Sequence, residues 1–78
     1  MPSIKPIHWK TLECIFLKFG FVLSRHEGTS HRCYHKDGIK RPVIIPTYKE
    51  VGLDIIKRNM RTANMSNDDY FRLLAECK

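Results

Sequence analysis

Apolar residues recur at helical spacing in two blocks of this chain and at strand-like spacing in the block between them. That order limits the fold more than any other feature. From Pro6, the run PIHWKTLECIFLKFG sets Trp9, Leu12, Phe16 and Phe19 at intervals of three, four and three, one face of a helix. Pro6 suits its first turn and Gly20 its carboxyl cap. FVLSR, next, is short, apolar and β-prone and reads as a first strand. In SHRCYHKDGIKRPVIIP, the pair Asp37-Gly38 tolerates the positive φ angles of a tight hairpin turn between two β-capable runs. The second and third strands therefore pair antiparallel, and Pro42, which has no amide hydrogen, turns part of the third strand's edge toward solvent or a partner.

After Pro46, Thr47 and Glu50 match a capping box, but Gly52 moves the helix start to near Leu53. Leu53, Ile56, Met60 and Ala63 then share one face, with Asp54, Lys57, Arg58 and Arg61 largely on the other. Asn64 suits a left-handed cap, and Ser66 with Asp69 caps a final helix carrying Tyr70, Leu73, Leu74 and Cys77. Helix, three strands, helix and short helix make an α+β domain: a three-stranded antiparallel sheet with helices on one face. At 78 residues the chain is one domain, 1–78, with a thin core and no room for a separate cofactor domain.

The formal net charge of +6 makes a polyanion the first partner to consider, because clustered Lys and Arg displace counterions from phosphates. An acidic protein is the other class that fits, and a solvated basic surface is the reading without a ligand. Cys14, Cys33 and Cys77 are odd in number, widely spaced and free of any CxxC pairing, so no disulfide framework is expected. No segment approaches the ~20 apolar residues needed to cross a bilayer. The expectation is a soluble protein of a reducing cytoplasm.

The stretch RHEGTSHRCYHKDG, Arg25 to Gly38, holds three of the four histidines. His26, His31, Cys33 and His35 carry zinc-ligand chemistry. Same-face neighbours on a strand nevertheless diverge by ~7 Å, too far to surround one ion at ~2.0 to 2.3 Å. An imidazole at the start of a strand can point past the sheet edge, and its ordinary pKa lies near neutrality, which makes His31 a candidate general base or acid. Ser30 adjoins His31 and points to the opposite face, so it is a poor nucleophile. Cys33 lacks the cations or helix terminus that would lower its pKa, and reads as a small core residue. Arg25, Arg32, Lys36, Lys40, Arg41, Lys57, Arg58 and Arg61 form a basic constellation on one sheet and one helix, with Tyr34 or Tyr48 available for stacking. The helix lacks acidic partners apart from Asp54, which favours phosphate contact over a salt-bridged surface.

GTSH before a strand, then RPVIIPTYKEVGLDIIKRNMRTANMS, then YFRLL, together resemble the HicA family of toxins from bacterial and archaeal toxin-antitoxin modules, over nearly the whole chain. The resemblance implies a fold like the double-stranded-RNA-binding domain, α-β-β-β-α, here with a short extra C-terminal helix. It implies a cytoplasmic messenger-RNA-cleaving endoribonuclease needing no metal and no cofactor. His31 is then the catalytic residue, with Gly28, Thr29 and Ser30 shaping its loop. Arg25, Arg32, Lys36, Lys57, Arg58 and Arg61 would contact RNA. It also implies a HicB-type antitoxin that buries His31, in a complex of higher order, and no membrane partner. Many relatives carry a histidine two residues after the proline that ends the third strand; Tyr48 stands there in this chain. The alternative from another class is a double-stranded-RNA-binding module without chemistry.

Overall fold

The structure, a computed structural model, describes residues 3–25 and 31–77. Helix α1 runs Trp9–Lys18, strands β1, β2 and β3 run Val22–Arg25, His31–His35 and Val43–Pro46, and helices α2 and α3 run Leu53–Ala63 and Asn67–Cys77. This is the α-β-β-β-α layout of the double-stranded-RNA-binding domain with one added helix. The strands lie in the order β1-β2-β3, each neighbouring pair antiparallel.

α1 starts three residues later than the proline suggests. His8 is its N-cap, with Nδ1 accepting from the Lys10 amide at 3.1 Å. Pro6 stays outside because its neighbour Ile7 is extended, bridged to Val51, whose amide donates to the Ile7 carbonyl at 2.7 Å. α2 begins at Leu53, directly after Gly52, as expected. α1 and α2 end as read. The Phe21 amide returns to the Phe16 carbonyl across Gly20 (φ +113), and the Met65 amide to the Met60 carbonyl across Asn64 (φ 59). Ser66 Oγ accepts from the Asp69 amide at 3.1 Å, capping α3.

The β2–β3 connection departs from the two-residue hairpin. Residues 36–42 form a longer loop, with Gly38 alone at positive φ (+89) and the Ile39 amide bonded to the Lys36 carbonyl at 3.1 Å. One positive φ at the third position of the turn is the type II pattern; the tight hairpin turns have positive φ at the second position, alone or with the third.

The strand alternation sorts side chains onto two faces. Tyr34, Val43 and Ile45 point at the helices and are buried, and the opposite face carries exposed His31 and His35 with half-buried Cys33 and Ile44. Cys33 is therefore outside the core expected for it. Leu12, Ile15 and Phe16 of α1, Phe21, Val51, and Ile56, Met60 and Ala63 of α2 complete the core with Tyr70 and Leu73 of α3. Leu53, expected on the buried stripe of α2, is 36% exposed, and Asn59 occupies the stripe in its place, 5% exposed. That burial is tolerated because Asn59 Nδ2 donates to the Ile44 carbonyl of edge strand β3 at 3.0 Å.

Cys14 and Cys77 form a disulfide joining α1 to α3. This corrects the expectation that the cysteines form no disulfide framework. The partners are 63 residues apart in sequence and meet only because α3 folds back onto α1, so no local spacing announces them. Cys33 remains free. Closing a loop of that length removes unfolded-state entropy worth about 4 kcal/mol on a chain-entropy model. Oxidised protein should resist denaturant more than the Cys77→Ser variant by up to that amount, and the same difference should appear on adding reductant to the parent protein.

Two core phenols titrate unusually. Burial, then a hydrogen bond to Glu13, pushes Tyr34 up to about 12, against a smaller lowering by Arg32. Burial alone pushes Tyr70 up to about 12. Between the ordinary phenol value and 12 the folded state holds protons that the unfolded state has released, so stability should fall as pH rises through that window, by up to ~1.4 kcal/mol per pH unit for each tyrosine. Denaturant titrations at alkaline pH should show this slope, halved in Tyr70→Phe. The Tyr70 hydroxyl has no hydrogen-bond partner among the described residues, so at neutral pH that substitution should be neutral or slightly stabilising.

Candidate active site and basic surface

His31 opens β2 and is exposed, opposite Pro46 in the register. Pro46 donates no amide hydrogen, so the ladder ends there and the chain leaves β3 beside the imidazole. Two residues on, the Tyr48 ring stands 6.4 Å from the His31 ring, edge to face at 71°, and is 47% exposed. The first turn of α1 fixes this corner. Helix N-termini carry amides with no intrahelical acceptor, and one of these, the Trp9 amide, donates to the Tyr48 carbonyl at 3.2 Å. An exposed imidazole beside an exposed aromatic can exchange a proton with a ligand while a base stacks on the ring.

The residue after His31 points the other way. Arg32 Nε donates to the Tyr34 hydroxyl at 3.1 Å, Arg32 Nη2 pairs with Glu13 Oε2 at 3.2 Å, and the guanidinium carbon lies 5.2 Å from the Trp9 ring centroid. The Tyr34 hydroxyl in turn donates to Glu13 Oε2. The hydrogen bond to Tyr34 is the largest influence raising the Arg32 pKa above its ordinary value, ahead of the charge of Glu13. Arg32, read from sequence as an RNA contact, is thus engaged within the protein, where it holds the start of β2 against α1. Tyr34 is fully buried and cannot stack on a base, which leaves Tyr48 of the two tyrosines considered.

Lys36 is also engaged: its ammonium sits 4.2 Å from the Phe19 ring centroid. Its stem closes over Gly20, where a Cβ would meet Lys36 Cε at 3.1 Å. Lys57, Arg58 and Arg61 are exposed on α2, and none makes an ion pair among the described residues. Arg25 ends β1, paired in register with Cys33. Gly28, Thr29 and Ser30, like His26, lie outside the described residues. Among the described residues no three His, Cys, Asp or Glu side chains group to hold a metal ion. Nor, among those residues, is any helix long and apolar enough to cross a membrane. Reasoning from sequence missed Glu13 and Trp9, the partners of Arg32. The available signal was their spacing of four on α1, which puts an acid and an aromatic ring on one face, next to a strand rich in cations.

The arrangement has a counterpart among known families. No curated protein and no solved structure matches the chain. The family model described as the HicA toxin of bacterial toxin-antitoxin systems matches residues 9–65, from the first residue of α1 to just past the end of α2. The match takes in the whole sheet with His31 and Tyr48, and the chain belongs to the HicA toxin family.

Proposed function

We propose that this protein is an endoribonuclease toxin that cleaves messenger RNA with His31 as general base and is restrained by a HicB-type antitoxin. The observation that carries this reading is the exposed imidazole at the start of β2, beside exposed Tyr48, in a HicA-family sheet. His31 takes the proton of a ribose 2′-hydroxyl. The 2′-oxygen attacks the adjacent phosphorus, the bond from phosphorus to the 5′-oxygen breaks, and the departing oxygen takes a proton from a lysine or water. Lys57, Arg58 and Arg61, the exposed cations of α2, are suited to hold phosphates of the RNA backbone. Gly28, Thr29 and Ser30 shape the loop before the base, and no metal or cofactor enters the step. Arg25 belongs to the same proposed RNA surface. Arg32 and Lys36 serve it through position, since Glu13 and Phe19 already engage their charges. An antitoxin would restrain the enzyme by covering His31 on the helix-free face of the sheet, alone or in a complex of higher order.

In a purified preparation, His31→Ala should lower the cleavage rate by roughly 10²- to 10⁴-fold while leaving the thermal transition in place, because the residue is exposed. Undiminished cutting would remove His31 from the mechanism. Substrate methylated at the 2′-oxygen of the cut site should resist cleavage, and a chelator should change nothing. At Tyr48, replacement by Phe should preserve RNA affinity, whereas Ala should weaken it by about 1–3 kcal/mol, the worth of one stacked base. Equal losses in both variants would mean that the hydroxyl, and not the ring, is what counts.

A further inference from the structure

The β2–β3 loop and the end of α2 enclose an open cleft of about 400 Å³, lined by Gly38, Lys40, Arg41, Arg61, Thr62 and Asn64 together with Ile39. It lies at the opposite end of the β2–β3 pair from His31, since His31 faces Pro46 at one end and the loop joins the strands at the other. Three cations line it and, among the described residues, no carboxylate does; Asp37 lines the neighbouring hollow. Lys40, Arg41 and Arg61 are exposed and form no ion pair among the described residues. Their charge is thus not committed elsewhere, unlike that of Arg32 or Lys36.

A helix C-terminus ordinarily repels an anion through its unpaired carbonyls. Here that repulsion is reduced, because the Arg61 and Met60 carbonyls accept from the Asn64 and Met65 amides at 3.2 and 2.9 Å. The Thr62 hydroxyl and the Asn64 amide add neutral donors to the lining. Two arginines and one lysine around an open cleft outnumber the single charge of one isolated carboxylate and suit the succession of phosphates along an RNA strand, each of which an arginine fork can grip by two oxygens.

We propose that this cleft is a second RNA-binding site, which takes backbone phosphates away from the cut. The inference rests on the endoribonuclease reading for its ligand. By holding the strand at the end of α2 remote from Tyr48, roughly 16 Å along an eleven-residue helix, it would orient the segment that reaches His31.

The test reads binding and needs no cleavage. In a His31→Ala background, the triple variant Lys40→Gln, Arg41→Gln, Arg61→Gln is compared with its parent for affinity to a labelled single-stranded oligoribonucleotide across a salt series. Three lost phosphate contacts should flatten the slope of log affinity against log salt by about 2, at ~0.7 per contact for a single strand. A control lowering charge equally elsewhere, at Lys5, Lys18 and Arg72, should leave the slope alone, and circular dichroism checks that each variant is folded. An unchanged slope in the triple variant would overturn the proposal, including a case where it instead loses binding to polyglutamate, which would assign the cleft to an acidic protein. A flattened slope in a chain whose parent, with His31 intact, cuts no RNA would uphold the cleft and sink the nuclease reading. Cleavage by the parent with an unchanged slope would do the reverse.

Discussion

Between α1 and the sheet, the Tyr34 hydroxyl donates to Glu13 and accepts from Arg32, while Arg32 also pairs with Glu13 and lies over Trp9. The residues at the site end of the molecule take their positions from this knot. Arg32 is adjacent to His31, so locking one side chain against the helix face commits its neighbour to the open face. Trp9 joins the same corner twice, by its ring to Arg32 and by its amide to the Tyr48 carbonyl. Partly buried ion pairs contribute little net stability, since desolvation offsets much of the attraction. Here the pair fixes orientation, and the apolar seam of Leu12, Ile15, Phe16, Val43, Ile45 and Ile56 supplies the burial that holds the layers together.

Element types and order were legible because they follow from periodicity and caps, which are local. Gly20, Asn64 and Ser66 each stop or start a helix where expected. What was not legible depends on partners distant in sequence. Asn59 enters the core only because an edge carbonyl waits there, and Pro6 is displaced from α1 only because Ile7 meets Val51. At the site, the exposed placement of His31 followed from its position at a strand start. The division of the cations did not: Arg32 and Lys36 look like Lys57 and Arg58 in sequence, and only the fold brings Glu13 or Phe19 to the first two.

The match to the family model ends at residue 65, before α3 begins, so the covalent tie between Cys14 and Cys77 joins the matched part to a helix outside it. α3 adds Tyr70 and Leu73 to the core and packs on α1, the helix that also holds the corner at His31 and Tyr48. The disulfide therefore ties α3 to the helix that supports the corner at His31 and Tyr48.

The central claim is that a ribose oxygen, activated by His31, is the nucleophile. The chemistry of the cut ends tests it most directly. RNA incubated with the purified protein should yield upstream fragments ending in a 2′,3′-cyclic phosphate and downstream fragments beginning with a free 5′-hydroxyl, both resolved by mass spectrometry. Fragments carrying a 5′-phosphate and a 3′-hydroxyl would mean that water attacked phosphorus, and would contradict the account.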